Sequence, residues 1–267
     1  MSLRRALQLA AVCLGLALGP AAPAAAEDGS GAYRLVGQNA GGDVYQGAAT
    51  IEPNGTTFRV KWSRPLPLEQ RGYAVRLDDV LGVVADDPSA DYGIVLYRVR
   101  DGHLEGVWRS DGGRSTATLG HENLDGPAGL QGRFIITLGR NPDGSPYGGT
   151  VEIKRAGAIY LVDWYTPSLR YIGTGVLMGN IFVVGYGERH RSGVAAYCLQ
   201  SVRQVKGITG AAADTAVGAE ILWRQDAPPV EDPVSQLARL RERGTVDCGA
   251  PISSRAPAPE RLIVTSR

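Results

Sequence analysis

Tyr45-Gln-Gly-Ala-Ala-Thr-Ile51, followed by Gly55, Phe58, Val60 and Trp62, recurs 102 residues downstream as Tyr147-Gly-Gly-Thr-Val-Glu-Ile153, followed by Gly157, Tyr160, Val162 and Trp164. Six of the eighteen aligned positions are identical, and Tyr160 answers Phe58 conservatively. The correspondence runs outward in both directions. Gly37 and Asn39 match Gly139 and Asn141, Gly93 and Tyr97 match Gly193 and Tyr197, and Gly106 matches Gly207. Gly120-His-Glu122-Asn-Leu124 matches Gly218-Ala-Glu220-Ile-Leu222. An ordered series of this kind marks an internal duplication. Residues 31–126 and 132–225 are read as the two copies, joined by Gly126 to Gly129.

Each copy has the pattern of an all-β unit. Tyr147, Gly149, Val151 and Ile153 alternate with Gly148, Thr150 and Glu152, the period-two signature of a half-buried strand. Phe58, Val60 and Trp62 alternate with Arg59 and Lys61; the charged face needs water, so the aromatic face points inward. Asn54-Gly55 and Asn141-Pro-Asp-Gly144 supply turn chemistry between strands. Eight strands are expected in the first copy, near 33–38, 45–51, 57–62, 72–77, 80–85, 92–99, 104–109 and 117–124. Short antiparallel strands joined by tight turns suit a small up-and-down barrel, which also removes aggregation-prone edges. The expected fold is therefore all-β: two tandem antiparallel barrels of about eight strands each, one per copy, with a short C-terminal helix. Open twisted sheets, or one continuous sheet through both copies, are the alternatives.

The composition bounds the address and the partners. Arg4 and Arg5, the apolar run Ala6 to Leu18, and Ala24-Ala25-Ala26 before Glu27 read as a signal peptide over residues 1–26. The run is short for a membrane span, and Val12 before Cys13 argues against lipidation. A periplasmic or secreted protein is expected, with no membrane span after cleavage. The whole chain carries 28 basic and 27 acidic residues. Cleavage removes two arginines and leaves a net charge of −1, which speaks against nucleic acid or an anionic membrane as a general partner. The 36 glycines, nearly twice the usual share, are expected to serve turns and bends.

Export leaves Cys198 and Cys248, an even pair in an oxidising compartment and so a disulfide candidate rather than two buried thiols. Cys198 corresponds to Arg98, whose parity places it outside the barrel; a bridge to Cys248 would pin the C-terminal segment to the outer wall. That segment, residues 230–267, follows a linker from Asp226 to Pro229. A helix then starts at Asp232-Pro233, with Val234, Leu237 and Leu240 as its apolar stripe and Gly244 as its stop. Residues 249–267 are rich in Pro, Ser and Ala and are expected to be loose.

The series Gly139 to Ile153, Gly157, Tyr160-Leu-Val-Asp-Trp164, Gly173-Thr-Gly175, Gly179-Asn180, Val183-Val-Gly-Tyr186, Gly193 to Tyr197 and Gly218-Ala-Glu220 resembles small exported proteobacterial proteins often labelled fibronectin-binding protein. Lipocalin- and avidin-like barrels are the nearest familiar architecture. The resemblance covers roughly residues 33–224 and is more faithful in the second copy. In the first, Ala40-Gly-Gly-Asp43 replaces the Pro-Asp-Gly turn; the second has Gly207-Ile-Thr209 where the first keeps Gly106-Val-Trp108. It implies a β-barrel and a protein partner of extracellular-matrix or envelope type. Its motifs mark turns and core positions and identify no activity.

Chemistry-bearing constellations are scarce. His103, His121 and His190 show no metal-ligand spacing, no Gly-x-Ser-x-Gly elbow or phosphate loop occurs, and no catalytic residue, metal or cofactor is assigned. Glu122 and Glu220 share a parity with Leu124 and Leu222, so inward leucines imply inward carboxylates. The bland expectation is hydrogen bonding to backbone amides at the rim; the functional one is a ligand-orienting or acid–base group. Trp62, Trp164 and Trp108 are expected to fill the barrels as core, with a ligand pocket as the other reading. Arg239, Arg241 and Arg243 are expected on a solvated face. Asn54-Gly-Thr56 has the form of a glycosylation sequon only.

The leading expectation is thus a binding module that engages a protein or a small apolar ligand through barrel rims or outer faces. A carrier holding a small ligand in the barrel interior comes second. An enzyme, perhaps a cyclase or isomerase built on an inward glutamate, comes third.

Overall fold

Period-two alternation carries most of the described residues into strands. The computed structural model describes residues 28–63, 70–85, 92–110, 118–167, 169–188, 192–201, 203–246 and 248. The expected signal peptide, His190 and the expected loose tail lie outside the described residues. The first copy supplies β1 (Gly31–Gln38), β2 (Val44–Asn54), β3 (Thr57–Ser63), β4 (Gln70–Leu77), β5 (Val80–Ala85), β6 (Tyr92–Arg100), β7 (His103–Arg109) and β8 (Gly120–Asp125). The second supplies β9 (Gly132–Arg140), β10 (Thr150–Ala156), β11 (Ile159–Tyr165), β12 (Arg170–Met178), β13 (Ile181–Gly187), β14 (Val194–Cys198), β15 (Gln204–Gly210) and β16 (Gly218–Arg224). Each of the eight strands expected in the first copy falls on an observed one. Gly55 (φ 65°) and Gly144 (φ 85°) take the left-handed conformation at the two turns that the sequence marks.

The strands close into two eight-stranded antiparallel barrels, but the barrels are not the copies. One barrel is β6 through β13, contiguous in the chain; the other is split, β1–β5 closing with β14–β16. In place of the expected β5–β6 and β13–β14 pairs, Val84 of β5 lies opposite Val194 of β14, and Val184 of β13 opposite Val95 of β6. The copies therefore exchange their last three strands at the same point, and the inserted barrel interrupts the split one. The Gly126–Gly129 stretch, expected to join two domains, is the β8–β9 connection inside a single barrel. Domain boundaries at 31–126 and 132–225 are thereby corrected to 92–187 for the inserted barrel, and 31–85 with 194–224 for the split one.

Burial marks the strands at which the exchange takes place. The strands β5, β6, β13 and β14 are apolar on both faces, as strands covered on both sides must be. Ala195 and Tyr197 of β14 point into the split barrel with Tyr33, Leu35 and Val60. Tyr97 of β6 and Phe182 of β13 point into the inserted barrel with Phe134, Val151 and Ile153. The alternate residues, Val80 and Val84, Ile94 and Leu96, Ile181 and Val183, Val194 and Ala196, form a third core between the barrels. Contact there is close: a Cβ on Gly82 would stand 2.6 Å from Val183 and 2.8 Å from Leu96. Polar ties cross the same seam. The Tyr73 hydroxyl of the split barrel donates to the Arg109 carbonyl at 3.0 Å, and Arg98 pairs with Asp78 at 2.7 Å.

Helix α1 (Pro233–Arg243) begins and ends where the sequence indicates. The Asp232 side chain accepts from Ser235 N–H, Pro233 follows the cap, and Gly244 closes the last turn in the left-handed conformation. Leu237 and Leu240 join the inter-barrel core, whereas Val234, expected in the stripe, is exposed. Arg241 also departs from the expected solvated face: its guanidinium donates to the Ala40 and Val217 carbonyls, bracing the β1–β2 connection. Cys198 bonds to Cys248, with Cα atoms 5.6 Å apart. Cys198 faces out of its barrel as expected, although that barrel is the split one and the bridge lies in the seam beside the helix. Among the described residues no helix is long and apolar enough to cross a membrane.

Candidate functional site

Four side chains meet at the floor of each barrel. In the inserted barrel the Tyr97 hydroxyl donates to Glu122 Oε1, and the Trp164 indole N–H donates to the same oxygen at 3.1 Å. The Tyr147 hydroxyl donates to Oε2 at 3.0 Å. In the split barrel the Tyr197 hydroxyl donates to Glu220 Oε2 and Tyr45 to Oε1 at 2.5 Å, while Trp62 hydrogen-bonds Tyr197. Each cluster draws two members from each copy: Tyr97 and Glu122 with Tyr147 and Trp164, then Tyr45 and Trp62 with Tyr197 and Glu220. The duplicated glutamates point inward as parity indicates, but their partners are phenols and an indole rather than the expected rim amides.

Glycine makes room for these rings. A Cβ on Gly106 would lie 2.5 Å from the Tyr97 ring, one on Gly207 2.3 Å from Tyr197, and one on Gly37 2.2 Å from Tyr45. Gly37 faces Tyr45, Gly106 faces Tyr97 and Gly207 faces Tyr197 across the ladder, so the ring lies flat over a neighbour without a side chain. The glycines that make the copies recognisable thus include seats for site aromatics, beyond the turns and bends expected of them.

Electrostatics at the floor follow from burial. Glu122 is 3% exposed, and loss of water raises its carboxyl pKa; the bonds from Tyr97, Trp164 and Tyr147 oppose that rise without cancelling it. Tyr97 is pushed far up, first by burial and then by the neighbouring carboxylate, and Tyr147 rises for the same two reasons. Both phenols therefore remain donors at any physiological pH. Burial and Glu220 act likewise on Tyr197.

Above the floors the two barrels diverge. The inserted barrel opens as a cup of about 500 Å³ with Glu122 at its base, walled by Trp108, Tyr147, Tyr171 and Tyr186. The corresponding space over Glu220 measures about 220 Å³. Register shows why the walls differ. Tyr171 faces Trp164 where Gln70 faces Trp62, and Tyr186 faces Gly173 where Ala85 faces Gly72. Trp108 stands at the place held by Thr209. Ligand pockets run to about 300–1,000 Å³, so only the larger space is of ligand size.

The residues singled out in the sequence are therefore gathered unequally. Trp62 and Trp164 are core, as expected, and each also borders a cavity, while Trp108, half-buried, lines the larger one. Sequence reasoning missed Tyr45, Tyr97, Tyr147 and Tyr197 as partners of the glutamates, although their equivalent places in the duplication were a usable signal. Tyr171 and Tyr186 carried none. The two described histidines do not converge: His103 bonds Asp125 through Nδ1 at 2.5 Å on the outer surface, which raises its pKa, and His121 is exposed. Among the described residues no group of three or more His, Cys, Asp or Glu is placed to hold a metal ion.

The mixed parentage of each floor is testable by double-mutant cycles. Tyr147→Phe and Glu122→Gln, from different copies, are expected to couple by about 1 kcal/mol or more, since contacting residues are non-additive. Tyr45→Phe and Glu122→Gln, from the same copy, are expected to add within about 0.5 kcal/mol. Urea melts of the wild type and the five variants decide; coupling in the second pair instead of the first would mean that each copy closes on itself.

Comparison of the chain with protein-family models, curated proteins and solved structures returns no match.

Proposed function

We propose that the protein is a small-molecule binding protein whose working site is the cup of the inserted barrel, with Glu122 as its polar anchor. The observation that carries this reading is the open, aromatic-walled space of about 500 Å³ ending on a buried carboxylate. A few convergent polar groups in a largely apolar cavity are the general form of a ligand site. The interior-carrier reading therefore takes precedence over engagement of a protein through rims or outer faces. The split barrel keeps the floor without the cup, which suits a structural role for Glu220 and weakens a cyclase or isomerase built upon it. The leader-like residues 1–26 support an extracytoplasmic setting for this task.

A plug tests the site. Gly148 lines the cup, and a Cβ there would meet nothing within 4 Å, so a large side chain can be set at the cup's wall without displacing packed atoms. Native mass spectrometry and tryptophan fluorescence with a panel of drug-sized aromatic compounds should show one-to-one binding to the wild type. Gly148→Trp should lose roughly tenfold or more in affinity at an unchanged melting temperature, because the plug removes most of the buried ligand surface. Binding that ignores the plug would overturn the assignment.

A further inference from the structure

The cup holds a buried carboxylate, and among the described residues that line it none is cationic. Among the described residues Glu122 makes no ion pair, and every group that bonds it is a neutral donor: two phenols and an indole. A carboxylate offers about four lone-pair positions, and three are taken, so one remains for a donor entering the cavity that Glu122 lines. The rings that line the cup are tilted against one another. Trp108 and Tyr147 have centroids 6.0 Å apart at 79°, Tyr171 and Tyr186 5.6 Å at 72°, and Trp164 and Tyr186 5.5 Å at 51°. Several aromatic rings around an anion are a setting that favours a positive charge twice, through the ring quadrupoles and through the carboxylate.

We infer that the ligand of this cup is a compact organic ammonium ion, an apolar body whose charged nitrogen sits between Glu122 and the rings of Trp108, Tyr171 and Tyr186. The inference rests on the cup being the binding site. A comparison inside the molecule supports the ligand class: Gln70, Ala85 and Thr209 stand in the split barrel where the inserted barrel has Tyr171, Tyr186 and Trp108. The carboxylate floor is common to both barrels, and the aromatic wall is built only where the space is large enough for a ligand. A neutral alcohol could use the vacant lone pair but would gain little from the wall. An anion would be repelled by Glu122.

Three probes sharing one body separate the possibilities: 1-naphthylmethylammonium, 1-naphthylmethanol and 1-naphthoate, titrated into the full chain by calorimetry. The ammonium is expected to bind roughly 10–100-fold more tightly than the alcohol, and the carboxylate not at all, as the two electrostatic contributions imply. Glu122→Gln should abolish most of that preference. Trp108→Thr, which installs the residue of the split barrel and leaves Glu122 and its three donors in place, should reduce it several-fold, which keeps the inference open to test if the first variant folds poorly. Equal binding of ammonium and alcohol, with both blocked by Gly148→Trp, would overturn the ligand class while leaving the cup as the site. Failure of all three probes to bind would overturn both.

Discussion

Replacing Glu122 by leucine is expected to destabilise the protein by about 3 kcal/mol and to lower its melting temperature by roughly 6–12 °C. Leucine leaves the Tyr97 and Tyr147 hydroxyls and the Trp164 N–H without their acceptor. Each buried, orphaned donor costs about 1–3 kcal/mol. Two effects work in the other direction: the desolvated carboxylate is gone, and Tyr147 borders the cup, where water can replace the lost bond. The donors outnumber these reliefs, so the loss prevails. Glutamine in the same place preserves one acceptor and should cost less. It also removes a titration. The folded-state pKa of Glu122 lies above its ordinary value of 4.5, so the folded form holds this proton more tightly than the unfolded chain. The resulting stability is complete below about pH 4.5 and is lost as pH rises through the folded value. The stability of wild type minus that of Glu122→Gln should therefore shrink as pH climbs above 4.5, a trend readable from urea melts. A loss under about 1 kcal/mol in the leucine variant would mean that the floor is not a closed hydrogen-bond network.

Removing the disulfide is the second large effect. Cys198 and Cys248 are 50 residues apart, and loop-closure entropy for such a span corresponds to about 4 kcal/mol of stability. A chain with both cysteines changed to serine should therefore lose about 3–4 kcal/mol in denaturant melts. The loss should be accompanied by faster amide exchange in α1, because Leu237, Leu240 and the Arg241 contacts with Ala40 and Val217 are then its remaining anchors. The Glu122 cup, which the bridge does not touch, should retain its ligand affinity. A cost below about 1 kcal/mol would show that the helix is held by packing and hydrogen bonds alone.

Much of this molecule is legible in its residues. Alternation of Val60 and Trp62 with Arg59 and Lys61 determines strand and face, because a charged side chain cannot enter the barrel unpaired. The shared parity of Glu122 with Leu124, and of Glu220 with Leu222, places both carboxylates inside. Asp232, Pro233 and Gly244 delimit the helix by local capping chemistry alone. Each of these is decided within a few residues of chain, where sequence is a sufficient description.

The choice of partners for β5 and β14 is not local. Val80 to Ala85 present the same apolar surface and ladder groups to β14 as they would to β6, since the two candidates are copies of one strand. Alternation and register are satisfied either way. The outer faces, Val84, Ile94, Val183 and Ala196, are covered where the two barrels pack together, so the pairing belongs to the whole molecule and not to either copy. The same tertiary decision joins Glu122 to Tyr147 rather than Tyr45, and it leaves the aromatic cup over one floor while the other stays small.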